Sequence, residues 1–427
     1  GDDRNDIIIR GNSPSGLLWR LEGIEIPNPN HFALEGTTGG PVGMLNNNTL
    51  SNSDFLTGAF PAEYGNALSG VFDLYSRNGN DEKYEFLGQI GFNGFELGAE
   101  GPVPKLKGSF LINYRYSTLE LFDKIGIQFG TAGIPKYQDV FAKYALPLKN
   151  GKIEWFLLSG TSEISIIESE DDDFYAEDNE DLYNGSSLIA SAVSFTRFHD
   201  RNSFSKFSFA YTRQKSWTDI FKNQEDLYYQ DIDDNYLENK IIGNYSFSKK
   251  ISNQIFSQSG ISWKKMGLHL DGKFYDELSK QSFYYFQENH NISKGPSLYQ
   301  LYTQIKYHFT EYLSSSWGIH YSYFDLNHTK SFEPRINFKY LIHSNQSISF
   351  GYGLISKLQP LIAYYWIDEK TNRKKIQTNK NLDFTKTNHY IIGYEYFFNP
   401  SLKLKLETYY QHLFQVPVEK KSSSYST

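Results

Sequence analysis

The 427-residue sequence contains no cysteine. Disulfides, thiolate metal sites and a thiol nucleophile are therefore excluded. Long apolar runs are missing too. Hydrophobic residues make up 39% of the chain, mean hydropathy is −0.53, and no stretch approaches the ~18 apolar residues of a membrane-spanning helix. That excludes such a helix but not the membrane, because a β-barrel turns only every second residue to lipid and so reads as soluble on average. Strong charge of one sign is also lacking. The net charge is −7, and Glu168 to Asp181 alone carries nine acids and no base, leaving +2 for the rest. The acidity is local, and nothing suggests a nucleic-acid surface. The chain begins at Gly1 without an initiating Met or a signal peptide. For an exported protein this reads as a front that has been removed or omitted.

Aromatic residues are abundant, at 17% with 33 Tyr and 33 Phe. Tyr and Trp favour membrane interfaces, where an apolar ring and a polar tip meet different solvents. An aromatic-rich soluble β protein, such as a carbohydrate binder, is the competing reading, and it predicts extraction without detergent. Strand length and patterning favour the membrane. From about Tyr84 the chain alternates apolar and polar residues, as in Leu402-Lys403-Leu404-Lys405-Leu406-Glu407. This period of 2 builds sheets with two unlike faces. Strands are expected at 84–92, 95–103, 108–117, 136–148, 152–163, 185–198, 202–216, 233–247, 252–273, 296–309, 312–326, 331–343, 346–357, 386–398 and 401–414. In 202–214, Phe207, Phe209 and Tyr211 share one side, and Lys206, Ser208, Thr212 and Gln214 the other. The polar side holds too much Lys, Gln and Ser for a sandwich core and suits a wet lumen.

Connections alternate between short turns, such as Lys149-Asn150-Gly151 and Ser344-Asn345, and long polar loops near 118–135, 164–184, 217–232, 274–295 and 358–385. Long loops gather at one end, as in outer-membrane barrels with short periplasmic turns, although 93–94 and 327–330 break the rule. An odd count of strands cannot close an up-and-down barrel, and an open barrel leaves bare edges in lipid. The sequence is therefore expected to be part of a longer barrel, or to have further strands supplied elsewhere. Residues 1–80 differ. They are rich in Gly, Asn and Pro, lack regular alternation, and read as a small α/β piece too short to be a complete domain.

Three runs in that first segment carry a resemblance. Asp6-Ile7-Ile8-Ile9-Arg10-Gly11 resembles the "IRG" motif of the plug domain of TonB-dependent outer-membrane transporters. Leu21-Glu22-Gly23-Ile24-Glu25-Ile26-Pro27 resembles that plug's "DGV" strand and turn. Phe60-Pro61-Ala62-Glu63-Tyr64-Gly65-Asn66-Ala67-Leu68-Ser69-Gly70-Val71 resembles its "YG-x-A-x-x-G-V" ending. Their order and spacing agree, a barrel follows, and Glu333-Pro334-Arg335 looks like an "EPR" run common in the family. The resemblance covers essentially the whole chain. It implies a transmembrane β-barrel of antiparallel up-and-down strands, with about fifteen present of about 22, and a partial plug in its lumen. Residues 1–80 would be the C-terminal part of the plug and 81–427 the incomplete barrel. The TonB box, the first half of the plug, the last strands and the terminal aromatic of the family's pattern are absent from the sequence.

The plug motif residues are then Arg10, Gly11, Glu22, Gly23, Tyr64, Gly65 and Gly70. Gly65 and Gly70 suit tight turns against a wall that a Cβ would strike. Arg10 would sit in the lumen and fork onto a wall carboxylate, with Glu407 and Glu395 as candidate acceptors. The competing reading is a surface arginine in a turn. His308 and His320 lie on polar faces and read as lumen lining rather than as metal ligands. No catalytic constellation emerges, and the protein is not expected to be an enzyme. Gly36-Thr37-Thr38-Gly39-Gly40-Pro41 lacks the Gly-Lys-Ser/Thr ending of a phosphate loop and reads as a plug loop facing an external vestibule. The acidic loop 168–181 could hold calcium but lacks the spacing of a helix-loop-helix calcium site, so a solvated loop is preferred and no cofactor is expected. Tyr284, Tyr285, Tyr365 and Trp366 are candidate vestibule contacts that could stack on sugars, grip apolar ligands or meet a partner lid, or else belong to the outer aromatic girdle.

The resemblance implies active import of a nutrient, worked through a TonB-type inner-membrane energy complex that engages a segment outside this sequence. No ATP or redox-cofactor motif is present, so work would reach the plug mechanically. The other partners implied are outer-membrane lipids of a Gram-negative cell and a possible surface lipoprotein lid. The alternative is a barrel that serves as a non-transporting subunit of an outer-membrane complex. The nutrient itself is open: glycan, peptide, metal chelate or vitamin.

Overall fold

The computed structural model describes residues 5–33, 36–91, 94–105, 107–117, 135–166, 180–224, 227–276, 279–370 and 374–418. Most of the acidic loop lies outside these residues, and with it the calcium site considered there. Its last two acids are described: Glu180 pairs with Lys222 at 2.9 Å, and Asp181 accepts from the Tyr228 hydroxyl at 2.9 Å.

Residues 17–74 form a four-stranded sheet: β1 (Leu17–Leu21), β2 (Ile24–Ile26), β3 (Asp54–Leu56) and β4 (Gly70–Leu74). Its order is β2-β1-β4-β3, with β1 and β4 parallel and the outer pairs antiparallel. The α/β expectation for this segment is corrected. Apart from 3-10 turns at Pro14–Gly16 and Asn47–Thr49, no helix occurs among its described residues. Gly, Asn and Pro break the chain too often to sustain the roughly 12 residues that a helix needs to nucleate and propagate.

The remaining strands build one long sheet. It begins with β5 (Glu85–Gly91), β6 (Gly94–Val103), β7 (Gly108–Tyr116) and β8 (Lys136–Leu148). It continues with β9 (Gly151–Ile166), β10 (Glu180–Phe198), β11 (Ser203–Gln224) and β12 (Leu227–Lys250). Next come β13 (Ile255–Asp276), β14 (Gln281–His290), β15 (Ser297–His308), β16 (Leu313–Phe324), β17 (Lys330–His343) and β18 (Gln346–Lys357). A short helix α1 (Leu361–Tyr365) and a separate hairpin of β19 (Ile367–Lys370) and β20 (Lys374–Gln377) intervene before β21 (Thr385–Asn399) and β22 (Leu402–Phe414). Pairing is antiparallel throughout and follows chain order, with β5 and β22 at the two edges. Strand β14 folds back on the far half of β13, and β15 takes the near half.

All fifteen expected strands are present. Two of the expected loops are corrected. Residues 217–224 and 227–232 continue β11 and β12, 274–276 end β13, and 281–290 form β14. At ~3.3 Å per residue the 22 residues of β11 span roughly 70 Å, well beyond a hydrocarbon core of roughly 30 Å. These polar strand ends form a wall outside the membrane, where an unbroken ladder satisfies the backbone as well as a loop would.

The two faces separate as the pleat requires. Outward Phe207 and Trp317 are 53% and 56% exposed, while inward Ser208 and His320 are 3% and 2%. A slip of one residue would exchange every such pair, so the register is tightly specified. The inner face is not wet throughout, however. On β8, β9 and β12 the inward residues Phe141, Phe156, Leu158 and Ile242 are buried against the small sheet. In Trp155-Phe156-Leu157-Leu158 both faces are apolar, and sequence alone cannot tell a face that meets lipid from one that meets another sheet. Loop 358–385 is a second correction of the same kind. Leu358, Leu361, Tyr364 and Phe384 turn inward onto Met266, Leu298 and Phe324 and form a separate core.

Leu301 stands on the outer face near the middle of β15. Leu301→Arg should cost about 2–4 kcal/mol, the depth-dependent penalty for a cation facing the bilayer midplane. Urea titration of folding into lipid vesicles measures it, and an unchanged midpoint would contradict the assignment of faces.

Candidate functional site

The site is the contact between the small sheet and the barrel wall, and two turns shape it. Arg10 and Gly11 have φ of 53° and 73°, and Glu22 and Gly23 have φ of 55° and 83°. At Glu22–Gly23 two successive positive φ values make the tight hairpin turn that joins β1 to β2, with glycine the natural second member, and Arg10–Gly11 makes a similar turn outside any strand. Arg10 and Glu22 hold the same conformation with a Cβ, at a cost of roughly 1–3 kcal/mol each. Their side chains supply the compensation.

Glu22 accepts from the Ser76 N–H and hydroxyl at 2.9 and 2.6 Å and from the Lys143 ammonium of β8 at 2.8 Å. Burial pushes its carboxyl up, but Lys143 and Ser76 outweigh burial and hold it below the ordinary value. Its backbone carbonyl accepts from Lys206 of β11 at 2.9 Å. Arg10 reaches Glu407 of β22 at 3.2 Å and lies 4.5 Å from the centre of the Tyr409 ring. Glu395 is not brought to Arg10. It pairs with Lys403 of the adjacent β22 at 2.6 Å and with Lys339 of β17, reaching across β18, at 3.6 Å.

The YG segment is held from the wall side. Arg335 donates to the carbonyls of Phe60, Pro61 and Tyr64 at 3.4, 2.7 and 2.6 Å, and to Glu333 at 2.6 Å. Glu333 also accepts from Ser356, and both charged residues are buried. A guanidinium that reads three carbonyls fixes the path of that loop. Gly65 allows the approach, since a Cβ there would come within 2.2 Å of the His320 ring. His320 itself contacts the Ala62 carbonyl at 2.7 Å, so it lines the lumen and grips the small sheet. His308 is exposed at the end of β15. Tyr64 donates to Asp73 at 2.8 Å, and Gly70 opens β4 beneath Ile9 and Leu17. Arg20 stacks over Tyr64 at 4.6 Å, with Asp73 and Glu63 at 3.7 and 3.9 Å.

Toward the long-loop end, Gly36, Thr37 and Thr38 line a cavity of 150 Å³ beside Leu361 and Tyr364 of α1. The vestibule candidates divide. Trp366 is exposed and lines a cavity of 250 Å³ with Ile362, Ser216, Thr218 and Asp234. Tyr365 is corrected: it is buried and stacks on His290 at 4.0 Å, because α1 is held by apolar packing. Tyr284 is exposed, 5.1 Å from the Lys273 ammonium, and the side chain of Tyr285 lies outside what is described. Sequence reasoning quoted Arg335 without a role, placed Lys206 on the polar face without a partner, and passed over Lys143, Lys240 and Lys264. Each is an inward cation on an otherwise regular strand, and that was the available signal. His31, in a turn of the small sheet's segment, was also passed over; it meets Asp139 of β8 at 2.9 Å, with Arg115 on the same carboxylate at 2.6 Å.

No protein-family model matches the sequence, and no curated protein matches it. Solved structures do. The siderophore receptor PirA from Pseudomonas aeruginosa has a TM-score of 0.62 at 12% identity, over 95% of this chain and 68% of its own. A mutant of the ferric enterobactin receptor PfeA from the same organism gives 0.61 at 13%, over 96% and 65%. The outer membrane transporter YddB from Escherichia coli gives 0.61 at 12%, over 92% and 61%. The chain thus spans about two thirds or less of the structures it matches. It has the fold of the TonB-dependent receptors: an antiparallel barrel wall around a small plug sheet.

Breaking the Arg335–Glu333 pair leaves a buried charge, so Arg335→Ala should cost about 3–5 kcal/mol. Arg10→Ala, whose partner Glu407 is partly exposed, should cost about 1 kcal/mol or less. Denaturant melts of the detergent-purified protein rank them, and the reverse order would refute this assignment. Burial raises the Glu63 carboxyl above 4.5, against the pull of Arg20. The folded chain then holds that proton more tightly than the unfolded one, so stability from this site falls as pH rises from about 4.5 through the folded value. Glu63→Gln removes the slope and should gain on the wild type as pH rises from about 4 to 8 in thermal melts. A constant difference would disprove it.

Proposed function

We propose that the protein imports a nutrient across the outer membrane of a Gram-negative cell, with residues 1–80 as part of the plug and 81–427 as the barrel that surrounds it. One observation carries this reading. The lumen is occupied by a sheet that the wall holds through buried ion pairs and hydrogen bonds, among them Arg335 on the 60–64 carbonyls and Lys143 on Glu22. Such contacts are directional, and water can replace them once they are pulled apart. A lumen filled in this way is closed at rest, and it opens only when work is done on the plug. An inner-membrane energy complex of the TonB type is the partner that would do that work, acting through a segment outside this sequence. Residues such as Trp366 and the loop 36–38 stand where a ligand from outside would arrive. A surface lipoprotein lid and the surrounding lipid are the other partners that fit.

The neighbours in fold include receptors named for siderophores and ferric enterobactin, which makes radio-iron enterobactin the first probe to use. Deleting the gene should abolish its uptake, and a protonophore should abolish uptake in the wild type. Uptake that survives deletion for this probe and for a panel of vitamins, peptides and glycans would overturn import. Stable co-purification with fixed partners would then favour the reading as a subunit of an outer-membrane complex.

A further inference from the structure

The outer surface of the wall changes chemistry abruptly on three strands. On β11 the outward residues Phe207, Phe209 and Tyr211 are followed, one outward step toward the long-loop end, by Arg213. On β13 the step beyond Trp263 brings Lys265, and on β17 the step beyond Phe332 brings Lys330. The inward neighbours fix these directions. Thr212 and Lys264 are buried, and Lys264 meets Glu25 of the plug, so Arg213 and Lys265 point away from the lumen. Lys215 follows Arg213 on the same face, with its ammonium 5.1 Å from the centre of the Trp217 ring. A further cation is brought in by a turn. Gly267 of β13 pairs with Asn239, which pairs with Arg213, and a Cβ on Gly267 would come within 2.8 Å of the Ile292 nitrogen. The turn at 291–295 therefore lies against the outer face, and it carries the exposed Lys294 on the side of the wall that holds Lys265.

Among the described residues none of these cations forms an ion pair. The acids of the same region are engaged elsewhere: Asp271 by His269 at 2.9 Å, Asp233 by Lys273 at 2.8 Å and Asp325 by the Ser297 N–H at 2.6 Å. The result is a group of cations without counterions at the rim of an oily, aromatic belt. Its complement is an amphipathic anion, with acyl chains along Phe209 and Trp263 and a phosphate at the cations above them. Free phosphate would answer the charge and leave the belt unused.

We infer that the outer face of β11–β13 binds a phosphorylated lipid of the outer leaflet, with Arg213 and Lys265 on its phosphate and Lys215 and Lys294 beside them. Strands β11 and β13 are two spacings apart, about 10 Å, a gap that two long side chains close on one headgroup. The guanidinium supplies the forked pair of donors that a phosphate accepts, and the ammonium groups add charge around it. The site depends on which face of the wall meets lipid. It depends neither on the plug nor on import.

The test is native mass spectrometry of the full-length protein in a neutral maltoside detergent, titrated with lipid A that carries both its phosphates and with the same lipid after their removal. Wild type should retain the phosphorylated lipid and bind the dephosphorylated form at least about tenfold more weakly. Each basic residue beside an anionic lipid strengthens the attraction roughly fivefold, so Arg213→Gln with Lys265→Gln should weaken retention at least about tenfold. Arg197→Gln, at the short-turn end of β10, should leave it unchanged. If the double variant fails to fold, judged by heat-dependent gel mobility, Lys265→Gln alone is read in its place, with a loss of about fivefold expected. Equal retention by wild type and the folded variant overturns the site. Equal binding of the two lipids overturns the role of phosphate, and an equal loss in Arg197→Gln shows attraction to the whole surface in place of a site. Because binding is measured without transport, missing uptake of radio-iron enterobactin in cells counts against the import reading alone.

Discussion

The pleat of the β-strand governs this protein. Side chains alternate across a sheet, so a wall that turns its apolar set to lipid has to turn the other set inward. Outward Phe207, Phe209, Leu301 and Trp317 place Ser208, Thr212, Gln300 and His320 in the lumen. The backbone adds its own demand. Bare N–H and C=O groups are costly within hydrocarbon, and the strands between β5 and β22 accordingly pair antiparallel with their neighbours, with β5 and β22 left as the two edges of the sheet. The polar interior follows from these two requirements before any function is considered.

A polar interior then decides how a second body can be held inside it. Apolar contact is most extensive where β8–β10 and β12 carry Phe141, Phe156, Leu158 and Ile242, with a second patch where Ile355 of β18 meets Leu18, Phe60 and Val71. Elsewhere the wall offers cations and amides, and the plug answers with Glu22, Glu25 and the carbonyls of the 60–64 loop. Burying such pairs costs desolvation that their attraction roughly repays, so they add little net stability but are expensive to break one at a time. The plug is thus held by apolar packing in some places and by directional bonds in others, and those two kinds of contact yield to different disturbances.

The alternation made most strands legible: all fifteen that were expected are present among the described residues, and β14 adds a sixteenth to the sheet. The turn at Glu22–Gly23 lies in a run read as strand and turn, whereas a turn at Arg10–Gly11 was only the competing reading; of the two acceptors considered for Arg10, Glu407 meets it across 397 positions and Glu395 does not. The roles of Arg335 and the inward lysines were not. An inward cation in a regular strand looks the same whether it faces water or a plug carbonyl. The strand ends at 217–232 and 274–295 were read as loops because they are polar, yet polarity marks solvent rather than irregular backbone. Tyr365 was read as a vestibule contact because aromatic clusters suit both binding and packing, and only the position of α1 separates the two.

What the sequence determined by itself is everything that depends on local periodicity: a strand needs only its own pleat to sort oily from polar. It did not fix the turns: Gly65 and Gly70 were expected in tight turns, yet neither has positive φ and Gly70 opens β4, because what excludes a Cβ there is a neighbouring side chain. The tertiary structure alone decided which polar residue meets which. Glu25 and Lys264 are 239 positions apart, and Arg335 and Tyr64 are 271. Their meeting depends on how far the wall curves and where the plug sits within it. Those are sums over every strand pairing, and no single segment of the chain contains them.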